Sequence, residues 1–246
     1  MILSRTRETT ILATLTAVVA VLALAGALSG KSSWLEAASV VTGAVCVWLT
    51  VRENVWNFPL GLVNVACFCV LFFGVGLYAD AGLQVVYFVL GIIGWRLWLR
   101  GGERGTALRV TRAGAAHLRI VAIAGVALTL ILWATLRHAG GSASFFDALT
   151  TSISLCAQWL LNRKHVESWY AWIVADLIYV PLYLYKELYL TAGLYAVFLV
   201  MATMGLLRWT ATWRALGGET PRPSQDGETP RPTQGGETPR PGPVPS

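Results

Sequence analysis

Residues Trp48–Val55 have the sequence WLTVRENV, and residues Trp159–Val166, 111 positions later, have the sequence WLLNRKHV. The same offset aligns further tryptophan, tyrosine and glycine residues of the chain: Leu77-Tyr78 with Leu188-Tyr189, Ala81-Gly82-Leu83 with Ala192-Gly193-Leu194, and Gly94 and Trp98 with Gly205 and Trp209. Two chance apolar helices do not share such residues at one unbroken offset. We therefore predict an internal duplication, which in a membrane chain is typical of a transporter with its substrate site between the repeats.

The composition indicates a multi-pass membrane protein. Hydrophobic residues make up 55% of the chain and charged residues only 13%, whereas about a quarter of the residues of a soluble domain are charged. The net charge of +6 is carried by short connections and tails. It therefore sets the orientation in the bilayer and does not predict a nucleic-acid partner.

Eight apolar segments are long enough to cross a bilayer as helices. The first has a rival interpretation as a signal peptide, because Arg5 and Arg7 precede it and its apolar run ends in Ala23-Leu24-Ala25-Gly26. Its apolar run exceeds that of a usual signal peptide, so we favour a retained helix. The segments are 10–30, 34–52, 57–77, 78–99, 118–138, 145–163, 168–186 and 188–210.

Basic residues concentrate in alternate connections, which predicts that both termini are cytoplasmic. One helix between two three-helix repeats makes the repeats parallel, as in SWEET transporters. We thus predict an all-α integral membrane fold in a three–one–three arrangement with an additional N-terminal helix. The predicted units are 1–32 (N-terminal helix), 33–100 (first repeat), 101–144 (cytoplasmic loop and linker helix), 145–214 (second repeat) and 215–246 (tail).

The tail repeats the hexapeptide GETPRP from Gly218, Gly227 and Gly236. A proline-rich segment with almost no apolar residues cannot bury enough surface to fold, so we predict a disordered tail. A docking motif for a proline-reading partner is the alternative.

Polar and aromatic residues inside the segments indicate a binding site. Asn64, Gln84 and Asp176 are predicted to line a pathway, because amides and carboxylates inside a membrane seldom face lipid; for Gln158 we favour a helix–helix contact. Trp172 lies four residues before Asp176, so both face one side of a helix. A ring beside a carboxylate suits a flat cationic ligand. Helix-end Trp98 and Trp209 are interpreted as an interfacial aromatic belt.

The sequence lacks the residue patterns that several kinds of chemistry require. The sequence shows no phosphate-binding glycine loop, no histidine pair at metal spacing and no interior Arg or Lys placed to clamp a phosphate. The four cysteines lie in apolar segments and are interpreted as small hydrophobic residues. We predict no cofactor, no metal and no enzymatic activity. An enzyme using Asp147 or Asp176, and a scaffold acting through its tail, stay as rival hypotheses.

The chain resembles the PnuC family of bacterial nicotinamide riboside transporters over residues 33–210. The residues that carry the resemblance are Ser33–Ala37, Phe58–Asn64, Leu77–Asp80 with Gln84, Gly94–Trp98, Asp147 and the stretch RKHVESWYAW at 163–172. The resemblance implies facilitated uptake of nicotinamide riboside across the cytoplasmic (inner) membrane, intracellular phosphorylation that prevents its return, and a homo-oligomer such as a trimer. A sugar or a thiamine-like cation is the rival substrate.

Carried over by motif position, the resemblance implies a substrate site formed by Asn64, Gln84, Trp169, Trp172 and Asp176. Tryptophans would hold the nicotinamide ring, and amides and carboxylates would meet the ribose hydroxyls. Two features depart from the family pattern. The helix at 10–30 is additional to a seven-helix core, and Asp176 stands where some relatives carry Asn.

Overall fold

A computed structural model describes residues 5–30, 33–74, 78–138, 145–185 and 189–217. The predicted proline-rich tail therefore lies outside the described residues from 218 onward. Within the described ranges the chain forms eight α-helices, and a single 3₁₀ turn follows the fourth. The helices are α1 (Arg5–Leu28), α2 (Trp34–Val51), α3 (Asn57–Gly74), α4 (Tyr78–Arg100), α5 (Ala115–His138), α6 (Phe145–Asn162), α7 (Glu167–Tyr185) and α8 (Tyr189–Ala215).

The predicted all-helical membrane fold is confirmed, and each predicted segment coincides with one helix. The largest differences are at α1, which begins at Arg5 instead of residue 10, and at α8, which ends at Ala215 instead of residue 210. Five helices of the described chain are long and apolar enough to span a membrane by themselves: these spans are Thr6–Leu28, Asn57–Gly74, Asp80–Arg100, Ala115–Thr135 and Ala192–Ala215.

The helices α6 and α7 carry polar groups that the bundle buries. Thr150, Ser152 and Ser154 of α6 and Asp176 of α7 are all buried. A polar group inside a bilayer needs a partner or a cavity within the protein. The polar faces of these two helices therefore lie in the interior of the bundle.

The 111-residue repeat extends to the backbone hydrogen bonds. Glu53 and Lys164, which the offset relates, each follow the end of a helix with a positive φ, of 57° and 52°. The amides that close the two helices bond in the same pattern: Glu53 to Thr50 and Asn54 to Leu49 in the first repeat, Lys164 to Leu161 and His165 to Leu160 in the second. The duplication predicted from side chains is therefore also one of conformation.

The contacts between helices follow the same symmetry. Helices α2, α3 and α4 correspond to α6, α7 and α8, and the two repeats meet through α2 with α8 and through α6 with α4. These two interfaces are equivalent under the repeat, as expected for two halves related by a twofold axis. Helix α1 packs on α2 as α5 packs on α6, and α1 also contacts α8.

Helix α1 is thus integrated into the bundle as the counterpart of the linker helix. Its Leu12 is fully buried in the core cluster, and its Glu8 forms an ion pair with Arg208 of α8. The family pattern predicts this helix as an addition to a seven-helix core. In the bundle, however, α1 packs on α2 in the same way as α5 packs on α6.

The interpretation of Trp98 and Trp209 as an interfacial belt is wrong. Trp209 is fully buried and Trp98 nearly so. Trp98 meets Phe58 edge to face at 5.1 Å, Trp209 meets Trp169 in the same way at 5.3 Å, and the two tryptophans lie 5.8 Å apart between ring centroids. Their rings form the core where the repeats join, because both lie on the inner faces of α4 and α8.

The α4–α5 connection is ordered at the end of the bundle that holds the basic connections, called the basic end below. Leu108 and Val110 belong to the core cluster or pack against it. The Thr111 amide donates to the Lys164 carbonyl, and the Val166 amide donates to the Thr111 carbonyl. This segment, which we predicted only as a loop, therefore binds the turn between α6 and α7.

Candidate functional site

A cavity of about 480 Å³ lies between the two repeats. Helices α2, α3 and α4 form one side, and α6, α7 and α8 form the other. Its polar and aromatic lining residues are Thr50, Asn57, Phe58, Tyr87, Thr151, Ser154, Gln158, Trp169, Trp172, Asp176, Tyr179, Tyr195 and Phe198. The position between the repeats is the one expected for the substrate site of a transporter built from parallel repeats.

Three of the five predicted site residues meet in this cavity. Trp169, Trp172 and Asp176 all line its α7 wall. Trp169 is buried against Gly205 and Trp209, whereas Trp172 is only half-buried. Trp172 therefore offers the ring that is more accessible to a ligand, and Trp169 forms the base of the wall.

Asp176 places a carboxylate in a mostly apolar setting. Only 5% of the residue is exposed, and no Lys or Arg of the described chain forms an ion pair with it. The described residues that line the cavity likewise include no Lys or Arg. A buried carboxylate without a basic partner is costly in a membrane interior, and a cationic ligand would compensate it.

Tyrosines form another part of the cavity lining. The rings of Tyr179 of α7 and Tyr195 of α8 lie 4.5 Å apart between centroids and are tilted by 34°, and Tyr183 stacks on Tyr195 at 5.2 Å. Tyr87 of α4 and Ser154 of α6 also line the cavity. Tyr195 was missed by the sequence interpretation, although the 111-residue offset pairs it with Gln84, which was selected.

Asn57 supplies a hydrogen-bond acceptor that the sequence interpretation also missed as a site residue. Its Nδ2 donates to Thr50 Oγ1 at 2.8 Å, while its Oδ1 is buried without a partner among the described residues. The Asn57 carbonyl accepts a contact from Cys46 Sγ at 3.6 Å. Its place at the start of α3, beside a connection, gave no sign that it faces the cavity.

The other two predicted site residues, Asn64 and Gln84, are not part of the cavity lining. Asn64 Nδ2 donates to the Ser39 carbonyl at 3.0 Å and to Thr42 Oγ1 at 2.6 Å, which joins α3 to α2. Gln84 is half-buried on α4. Their contact with substrate stays a prediction.

Gln158, which we interpreted as a helix–helix contact, does line the cavity. Its Nε2 donates to Asn162 Oδ1 at 2.9 Å on the same helix. Asn162 Nδ2 in turn donates to the Leu90 carbonyl of α4 at 2.8 Å. Gln158 therefore supports the α6–α4 interface through Asn162 while its side chain borders the cavity.

Residues 33–211 match the family model described as "Nicotinamide mononucleotide transporter". The chain belongs to this family. The match covers both repeats and the linker helix, so the chain is a membrane transporter, and the rival hypothesis of an intramembrane enzyme is wrong.

Characterised relatives carry two different names. The nicotinamide riboside transporter PnuC of Escherichia coli is 26% identical over 211 residues, which cover 75% of this chain and 88% of the relative. The protein of the same name from Haemophilus influenzae is 28% identical over 185 residues, covering 72% and 80%. The riboflavin/roseoflavin transporter RibM of Streptomyces davaonensis is 26% identical over 180 residues, covering 72% and 84%.

A solved structure shares the fold. The crystal structure of the vitamin B3 transporter PnuC superposes with a TM-score of 0.65 at 23% identity, covering 85% of this chain and 92% of that chain. This likeness confirms the helical architecture predicted from the duplication.

Proposed function

We propose that this chain mediates passive uptake of nicotinamide riboside by alternating access between its two repeats. The observation that carries the proposal is the buried Asp176 carboxylate beside Trp172, in a cavity whose described lining has no basic residue. Nicotinamide riboside presents a flat pyridinium cation, ribose hydroxyls and no phosphate.

The charge of the substrate suits the charge of the cavity. A pyridinium ring can lie on the face of Trp172, where the quadrupole of the indole attracts cations. The Asp176 carboxylate then pairs with positive charge instead of remaining buried alone. A mononucleotide would add a phosphate with no Lys or Arg of the described lining to compensate it, so the riboside is the better ligand.

The polar groups suit the remainder of the molecule. Asn57 Oδ1 is a free acceptor for a carboxamide N–H or a ribose hydroxyl. Asn64 and Gln84 are proposed to meet the ribose in another state of the transport cycle. Alternating access requires the repeats to move, and these two residues lie on the helices of the first repeat.

The distribution of basic residues supports a cytoplasmic location for the basic end. We propose the cytoplasmic (inner) membrane of a bacterium as its location, with phosphorylation in the cytoplasm retaining the substrate. A homo-oligomer, with a trimer as the form that the family resemblance favours, is part of this proposal.

Uptake of labelled nicotinamide riboside into proteoliposomes that contain only this chain tests the proposal. We expect uptake to stop at equal concentrations inside and outside, and nicotinamide mononucleotide to compete weakly. Accumulation driven by a proton or sodium gradient would overturn the passive mechanism. Strong competition by the mononucleotide would overturn the choice of the riboside.

Riboflavin is the second candidate substrate, because a relative at 26% identity is a riboflavin/roseoflavin transporter and the cavity is rich in aromatic rings. The Asp176 carboxylate favours nicotinamide riboside over riboflavin, since riboflavin has no cationic ring. Competition by unlabelled riboflavin, thiamine and glucose in the same liposomes ranks the rival substrates. If riboflavin competes better than nicotinamide riboside, the primary assignment fails.

A further inference from the structure

A second hollow lies outside the substrate cavity, between the linker helix α5 and α6. It is a groove of about 680 Å³ whose wall is largely formed by Ile120, Val121, Ala124 and Leu128 of α5 and by Leu155 and Cys156 of α6. Only 6% of the apolar span of α5 is buried inside the protein. The groove therefore opens towards the lipid and not towards the substrate path.

Polar side chains close one end of this groove. His117, Trp159 and Arg163 line it at the basic end, where Trp159 Nε1 donates to His117 Nε2 at 3.4 Å. The Arg163 guanidinium lies 4.4 Å from the centroid of the Trp159 ring. Among the described residues no carboxylate forms an ion pair with Arg163.

We propose that this groove binds an anionic phospholipid, with one acyl chain between α5 and α6 and the phosphate on Arg163. The lining runs along α5 from His117 to Leu128, which corresponds to about 16 Å of helix at 1.5 Å per residue. One leaflet of the hydrocarbon core is about 15 Å thick. The groove therefore has the length of one acyl chain.

The charge at the end of the groove selects the headgroup. Arg163 follows α6 directly, at the level where phosphates lie when the helix spans the membrane. Basic pockets between transmembrane helices at the cytoplasmic surface bind anionic headgroups, and Arg matches phosphate with two parallel hydrogen bonds. A zwitterionic lipid would offer the same acyl chain but would bring its own cation to Arg163.

Two other occupants fit the observations less well. A free phosphate would meet Arg163 but leave the apolar walls of the groove uncovered. A second copy of the chain would pack along α5 into the other leaflet, whereas the groove ends at Leu128, near the middle of the helix. Both are outcomes that the experiment below detects.

Native mass spectrometry of the full chain in detergent, with phosphatidylglycerol or phosphatidylcholine added at equal concentrations, tests the headgroup. We expect roughly five-fold more phosphatidylglycerol to remain bound, and Arg163→Gln to remove that preference. Arg137→Gln is the matched control, because Arg137 also lies over a tryptophan four residues earlier, Trp133, but at the other end of α5. Equal retention of the two lipids, or loss of preference in Arg137→Gln alone, would overturn the proposal.

Filling the groove tests the acyl chain. Ala124→Phe places a ring in the groove and should lower retention of phosphatidylglycerol, whereas Ala122→Phe, on a residue of α5 that does not line it, should not. Displacement of the lipid by glycerol phosphate alone would show an anion site without an acyl chain and overturn the proposal. If Ala124→Phe turns an oligomer into a monomer by light scattering, the groove is an interface between copies, and the proposal is wrong.

Discussion

Glu53 and Lys164, which the 111-residue repeat relates to each other, form an ion pair with Lys164 Nζ 3.3 Å from Glu53 Oε2. Both residues have a positive φ, a conformation at a helix end that favours glycine. Lys164 Nζ also lies 4.5 Å from the centroid of the Trp98 ring. The two repeats therefore meet at the basic end through equivalent positions. These positions carry Glu and Lys instead of glycine because the ion pair needs both side chains.

The first prediction concerns this ion pair. Burial lowers the pKa of Lys164, while the neighbouring Glu53 carboxylate acts in the opposite direction. Glu53→Gln leaves a largely buried ammonium without its carboxylate, so we expect a loss of roughly 1–3 kcal/mol in the free energy of unfolding. Exchanging the two charges (Glu53→Lys with Lys164→Glu) should recover part of it. A double-mutant cycle by thermal unfolding measures the coupling, and additive effects would contradict the pairing.

The second prediction concerns the glycine that accommodates Trp169. A Cβ on Gly205 would lie 2.6 Å from three atoms of the Trp169 ring, whereas a Cβ on Gly193 would meet nothing within 4 Å. Alanine is the better helix former by about 1 kcal/mol. We therefore expect Gly205→Ala to lower the melting temperature and weaken substrate binding, because it moves the wall of the cavity. Gly193→Ala on the same helix should be neutral or stabilising, and equal effects would refute the close packing.

The third prediction concerns the wall of the cavity. Trp172→Ala should weaken binding of nicotinamide riboside by about 1–3 kcal/mol, with base–aromatic stacking as an analogue. Asp176→Asn should be milder than Asp176→Ala, because the amide keeps an acceptor while losing the charge. Titration calorimetry on purified variants measures both.

Trp56→Ala is the control for Trp172→Ala, since Trp56 is 68% exposed at the basic end. Trp209 is unsuitable because it is part of the core. If Trp56→Ala lost more affinity for nicotinamide riboside than Trp172→Ala, this location of the site would be refuted.

Most of the helical architecture could be predicted from the sequence because bilayer thickness fixes helix length. The repeat was visible because Trp, Arg and Gly are rare enough in apolar segments to mark a register. The same offset also relates residues of the cavity to one another. Phe58 corresponds to Trp169 and Tyr195 to Gln84, and three of these four residues line the cavity.

Other features depend on packing that a single sequence does not encode. A tryptophan at a helix end can face lipid headgroups or the core, and only the joining of the repeats decides this for Trp98 and Trp209. Likewise, Leu108 and Val110 lie in a short polar connection. They are buried because this connection packs against the α6–α7 turn. Asn64 faces α2 and not the cavity, because a shift of one residue along a helix turns the side chain by about 100° without changing the hydropathy of the segment.

The fourth prediction concerns the tail. Helix α8 ends at Ala215, and Gly217 has a positive φ, which is typical of a helix terminus. The repeated proline-rich segment after it has almost no apolar residue to pack on the bundle. We expect a chain truncated after Gly217 to transport at an unchanged rate. Loss of uptake with normal amounts in the membrane would show that the tail has a role.

The last prediction concerns acid stability at the α6–α7 turn. Burial, followed by the charges of His117 and Arg163, lowers the pKa of His165 to about 4. His165 Nδ1 is 3.0 Å from Thr111 Oγ1. Because the folded pKa is below the ordinary value of about 6.5, the folded state favours neutral His165. Its contribution is fully present above about pH 6.5 and is lost as the pH falls towards 4.

We therefore expect the melting temperature of the wild-type chain to fall between pH 6.5 and 4.5 more steeply than that of His165→Asn, which cannot take up the proton. His138→Asn is the control, because His138 is exposed at the other end of α5. Thermal unfolding in detergent across this range measures the difference. If His165→Asn follows the wild-type curve while His138→Asn flattens it, the acid sensitivity comes from elsewhere than the Thr111–His165 contact.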